Sequence, residues 1–157
     1  MLTEHTLNDA LAAVLRETRH AWRASDVVSS ENTGMLRGST KRPDILVIEA
    51  NVSPVVIETE VVPAVTVEQE AISRLGEPVR TTGRKILSTL AVRLPERLRT
   101  AHPTKLRAII ASADDLETSL YIGRSPSEYS RWPWAGWIRV SAADLSVLTQ
   151  SASVPPK

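Results

Sequence analysis

The chain has no cysteine, no phenylalanine, only 4% aromatic residues and six glycines among its 157 residues. Without cysteine there is no disulfide scaffold, thiolate zinc site, cysteine nucleophile or CxxC redox pair. Long apolar runs are missing too, since none approaches the ~20 residues that cross a bilayer. The opening Met1-Leu2-Thr3-Glu4-His5 lacks the basic start and apolar stretch of a secretory signal. These absences lead to the expectation of a cytoplasmic protein with no membrane partner. His5, His20 and His102 are scattered and fit no ligand spacing. Neither G-x-G-x-x-G nor G-x-S-x-G occurs, which argues against a dinucleotide enzyme or an α/β-hydrolase. Gly76-(x)6-Gly83-Arg84-Lys85-Ile86 is not a phosphate loop, because its spacing differs and isoleucine stands where Ser or Thr binds magnesium.

What is present suits one domain, expected over residues 1–150 with a flexible tail at 151–157. Lysine is scarce, with 4 against 15 arginines, and arginine's planar fork suits phosphate. The net charge of +1 hides an asymmetry. Residues 1–78 hold 7 Lys+Arg against 12 Asp+Glu, and residues 79–157 hold 12 against 6. An acidic half and a basic half are a hint of nucleic acid.

Leu7, Leu11, Val14, Leu15, Thr18 and Trp22 follow a helical period, with Thr6 as the expected N-cap. Residues 25–42 are polar and turn-rich, as in one short strand or hairpin with loops. Two β-branched runs follow, Ile45 to Ile48 and Val55 to Val62, separated by a short polar turn and expected to pair antiparallel. Thr66 and Gln69 are spaced as a capping box for a second helix that Gly76 ends. Strands are expected at 86–92, 106–111, 119–122 and 138–140, and Ser141 caps a last helix through Leu148. The fold class is therefore α/β, with a mixed central β-sheet flanked by helices.

Asp44, Glu58 and Glu60 stand out. Residues two apart on a strand share a face, so Glu58 and Glu60 project side by side while Ile57, Thr59 and Val61 face the other way. Asp44 opens the neighbouring strand and can approach the pair. Either this face is open to water, or a cation or proton offsets the like charges. Converging carboxylates without histidine or cysteine favour Mg2+ or Mn2+, and such a site suits phosphodiester hydrolysis.

The order helix, strand, Pro43-Asp44, then Val55-Val56-Ile57-Glu58-Thr59-Glu60 and a helix resembles the PD-(D/E)XK nuclease superfamily, restriction endonucleases and repair nucleases among them. The resemblance spans about residues 4–93 and implies a restriction-endonuclease-like core. It makes Asp44 and Glu58 the metal-binding acids, Ile57 a support beside the metal and Thr59 the variable middle position. Glu60 stands where the family usually has lysine, giving an E-x-E variant in which Glu60 ligates the metal or acts as general base. Lys85 or Arg74 then becomes the candidate for the missing positive charge. The stretch from Pro54 to Glu60, with Glu68, Ala71 and Arg74-Leu75-Gly76, looks like nuclease-like modules of bacterial restriction or defence systems. The resemblance implies Mg2+ or Mn2+ as cofactor and DNA as partner, in a homodimer or a larger defence complex. A non-catalytic DNA-binding or scaffold module is the alternative.

Supporting acids are Glu17 on the first helix and, in a similar role, Glu31; Gln69 and Glu68 open the second helix. Arg80, Arg84 and Lys85 form a basic turn suited to a phosphate backbone, as do Arg93, Arg97, Arg99, Lys105 and Arg107 further on. Trp132, Trp134 and Trp137 lie among Arg131 and Arg139, as a lid on the sheet, a dimer contact or a stacking surface for bases.

Overall fold

The computed structural model describes residues 2–17, 24–29, 43–49, 54–62, 66–79, 82–132 and 136–152. Glu31, Arg80, Trp134, the turn at 50–53 and the end of the tail lie outside the described residues, as do Thr18 and Trp22. Helix α1 (Glu4–Glu17) leads to strand β1 (Ala24–Ser29), the hairpin β2 (Ile45–Glu49) and β3 (Val55–Glu60), and helix α2 (Thr66–Ser73). Strand β4 (Ser88–Arg93), helix α3 (Leu106–Ser112), strands β5 (Leu116–Ser125), β6 (Glu128–Trp132) and β7 (Ile138–Val140), and helix α4 (Ala142–Ala152) complete the strands and α-helices of the described residues.

These elements make an α/β fold with a mixed sheet in the order β1-β2-β3-β4-β5-β6, and β7 pairs with β5 beside β6. All neighbours are antiparallel except β3 and β4, which run parallel. A parallel pair needs a crossover, and α2 supplies it. No helix among the described residues is long and apolar enough to cross a membrane.

Alternation on β3 divides the core. Val55, Ile57 and Val61 join Ile45, Val47, Leu90 and Val92 in one large cluster with Leu7, Leu11, Val14 and Leu15 of α1. On the other face, Val56 and Leu46 pack under Val79 and Ile86, and Ala91 and Tyr121 pack under Val67, Ala71 and Leu75. The buried stripe of α2 is short, and its helix stops where Gly76 takes a positive φ of 86°.

Three local expectations need correction. The first helix is capped by Thr3 rather than Thr6: Thr3 Oγ1 accepts from the Thr6 amide at 3.1 Å. The helix therefore begins earlier, because Thr3 is the hydroxyl placed to satisfy that orphan donor. The run at 106–111 is helical, not a strand. Leu106 and Ile110 are one turn apart and both buried against the α1 core, while Arg107 and Ala108 face out. A short apolar run does not separate the two periodicities by itself. The last helix continues to Ala152, two residues into the expected tail, and Ser141 Oγ does cap it by accepting from the Asp144 amide at 3.2 Å.

A carboxylate cluster at the end of the β2–β3 hairpin

The hairpin register builds the site. Ile45 pairs with Ile57, Leu46 with Val56 and Val47 with Val55, so the next step places Asp44 opposite Glu58. The Asp44 amide donates to Glu58 Oε2 at 3.2 Å, and the Thr59 amide donates to Asp44 Oδ2 at 2.9 Å. Thr59 Oγ1 bonds Asn8 Oδ1 and lies 3.5 Å from Asp44 Oδ2, so a buried polar residue of α1 braces the hairpin end.

Glu58 is almost fully buried. Burial pushes its carboxyl well above the usual carboxylate range; the adjacent Asp44 charge and hydrogen bond raise it further, and Arg74 opposes. Arg74 is itself buried and donates from Nε to Glu58 Oε1 at 3.0 Å. Its other end approaches Glu77 Oε2 at 3.8 Å.

The third carboxylate comes from α2. Asp44, Glu58 and Glu70 each offer an oxygen, and those oxygens lie within 4.8 Å of one another. Helical spacing explains the arrangement: Val67, Glu70, Ala71 and Arg74 lie at i, i+3, i+4 and i+7 on one stripe. That stripe faces the sheet through Val67 and Ala71, so Glu70 and Arg74 are carried to Glu58 with them. The expectation from sequence omitted Glu70; its place three residues after a buried valine and four before Arg74 was the signal.

Glu60 shares the face of Glu58, as alternation requires, but another partner holds it. The parallel register sets Glu60 beside Arg93, whose Nε reaches Glu60 Oε1 at 2.6 Å. Arg93 in turn stacks on Trp137, 3.9 Å from the ring centroid. Trp137 packs with the α2-side apolar cluster, whereas Trp132 is exposed on β6. Of the two cations weighed as the missing charge, Arg74 is in the site. Lys85 is exposed, bridges Pro78 and precedes β4, six residues before Ala91, the register partner of Glu58.

Glu17 is at the far end of α1, roughly 20 Å from the first turn of that helix, and pairs with Arg107. The acid that α1 brings near the cluster is Glu4. Partial burial raises its carboxyl first, and the charges of Asp44, Glu70 and Glu60 add to the shift. Gln69 is exposed on α2. Glu68 turns the other way, accepting from the Tyr121 hydroxyl at 3.0 Å and pairing with Arg131 at 2.6 Å. Burial pushes the Tyr121 hydroxyl up to about 12, so it remains a donor at neutral pH. Arg84 is exposed near Lys85.

Oxygen-only ligands, one of them desolvated beside a second carboxylate, form a donor set that fits a hard divalent cation. Comparisons with protein-family models, curated proteins and solved structures find no match to this chain.

Proposed function

We propose that the chain is a divalent-metal-dependent nuclease domain acting on DNA, built on a restriction-endonuclease-like core with an E-x-E variant of the PD-(D/E)XK motif. The observation that carries this reading is the convergence of Asp44, Glu58 and Glu70 within one ion's reach. Asp44 and Glu58 would hold Mg2+ or Mn2+, with Glu70 as the third ligand. When bound, such an ion supplies Lewis-acid activation of a phosphodiester and of a water nucleophile. Thr59 orients Asp44 through its amide, and Arg74 orients Glu58. Glu60, held by Arg93, borders the cluster and is the candidate to direct water. A cytoplasmic restriction or defence role, in a homodimer or a larger complex, belongs to the same reading.

Cleavage of supercoiled plasmid in millimolar Mg2+ or Mn2+ tests it. Asp44→Ala and Glu58→Ala should each lose about 100-fold or more, beyond the 10–100-fold typical of losing an outer-shell partner. Equal residual cleavage by wild type and both variants overturns the assignment.

One observation favours a second reading, a non-catalytic DNA-binding or scaffold module. Glu60 replaces the usual lysine and is tied up in an ion pair with Arg93. Under that reading, neither metal addition nor Glu58→Ala changes DNA binding, and plasmid remains intact.

A further inference from the structure

Beyond the carboxylate cluster, the described residues contain a hollow with a different chemistry. Residues 76–79 and 82–86 lie against one another: the Gly76 amide donates to the Ile86 carbonyl at 2.7 Å, Ile86 to Glu77 at 2.9 Å and Val79 to Arg84 at 2.8 Å. Val79 and Ile86 seat this small hairpin on Leu46 and Val56. Its base is fixed to the sheet. Gly76, at a φ of 86°, lies so close to the Arg124 carbonyl that any side chain there would collide with it. The Gly123 amide also donates to the Leu87 carbonyl at 3.0 Å. Between hairpin and sheet these ties leave a hollow of about 360 Å3, lined by Arg84, Lys85, Leu87 and Arg124. Its lining has three cations and no acid.

We propose that this hollow is a metal-independent anion site for the phosphodiester backbone of nucleic acid. Three positive groups around one concavity concentrate potential there and attract successive phosphates. The lining has no aromatic ring and no side-chain amide to read a base, so recognition is of backbone and not of sequence. A shallow apolar floor at Leu87, 39% exposed, leaves the charged groups on the rim. Arg124 is the informative member, because it comes from β5, far in sequence from the basic turn. The hollow lies past the Ser88 end of β4, and the carboxylate cluster lies alongside Ala91. The two sites are therefore offset from each other along the sheet. The proposal does not depend on the nuclease reading, since the site needs neither metal nor cleavage.

The test is fluorescence anisotropy of a labelled 20-base-pair duplex with the full chain in chelator, across a salt series. Each phosphate contact contributes about 0.9 to the slope of log K against log salt. Arg124→Gln and Lys85→Gln should each weaken binding several-fold and flatten the slope by about 0.9, and Arg124→Glu should weaken it further. Arg16→Gln, at an exposed position of α1 outside the hollow, should leave affinity and slope at the wild-type values. Melting temperature checks folding, and these side chains are exposed. The proposal is overturned if wild type does not bind duplex in chelator, or if both glutamine variants match wild type in affinity and slope. Binding of tripolyphosphate, read by calorimetry, by a chain that does not bind the duplex would overturn the nucleic-acid assignment as well. Cleavage is not read, so failure here leaves the carboxylate cluster's assignment to stand or fall on the plasmid assay.

Discussion

The two faces of the central sheet are built from the same strands and do different work. Toward α1 the face is one large apolar cluster, bordered by the Thr59–Asn8 contact, in which Ile45, Val47, Val55, Ile57, Leu90 and Val92 meet five buried apolar residues of the helix. Toward α2 the apolar residues fall into two small clusters, and Glu58, Glu60, Arg74 and Arg93 occupy the ground beside them. Apolar burial is non-directional and stabilises by area. A buried ion pair gives little net stability, because desolvation consumes much of the attraction. The first face therefore supports the fold, and the second holds costly groups in place because the first can carry them.

This contrast can be broken from either side. Arg74→Ala should have the largest effect on the α2 face, about 3–5 kcal/mol at neutral pH, because it strands Glu58 in a dry site. Leu15→Ala on the α1 face should cost about 2–5 kcal/mol through its cavity. Urea unfolding measures both. The diagnostic difference is pH: lowering it should restore part of the Arg74→Ala loss by protonating Glu58, and should leave the Leu15→Ala deficit unchanged.

A smaller effect separates the faces by metal and pH. The Glu58 carboxyl is raised in the fold, so the folded state binds the proton more tightly than the unfolded state. Its contribution to stability is therefore best below the ordinary carboxyl range and is lost as pH rises from that range toward the raised folded value. A divalent ion needs the ionised carboxylate, so bound metal opposes that loss. The melting-temperature increase on adding millimolar Mn2+ should grow as pH rises above the ordinary carboxyl range and shrink in Glu58→Gln. At 100-fold excess over the dissociation constant, the gain is about 2.7 kcal/mol. A shift independent of pH would remove Glu58 from the ligand set.

The smallest effect belongs to the border of the α2 face. Tyr121→Phe deletes the hydroxyl that donates to Glu68 while Arg131 still holds that carboxylate. Unfolding should show a loss of about 1 kcal/mol. A larger loss would mean that the Tyr121–Glu68–Arg131 group fixes α2 over the sheet.

Much of this was legible residue by residue. The β-branched runs pair antiparallel through Ile45–Val47 and Val55–Ile57, although the second strand ends at Glu60 and not at Val62, and Asp44 meets Glu58 because both lie at one end of that hairpin. Ser141 caps its helix, and Gly76 ends another with a positive φ. Leu106 to Ala111 misled because six residues containing two isoleucines and a leucine suit a buried strand as well as a helix; contact with α1 decided it. Lys85 and Glu17 were attractive by charge alone; Lys85 is exposed ahead of β4, and Glu17 lies at the far end of α1 from the cluster.

Local alternation by itself determined that Glu58 and Glu60 share a face, because the period of a strand is two wherever the strand lies. It also determined that Thr59 points oppositely, while the packing of α1 decided that it meets Asn8 there. Tertiary structure alone decided which acids share a centre. The parallel register of β3 and β4 hands Glu60 to Arg93, and the docking of α2 delivers Glu70 and Arg74 to Glu58. Those neighbours are joined by a crossover, and the distance between side chains across a crossover depends on how whole elements pack.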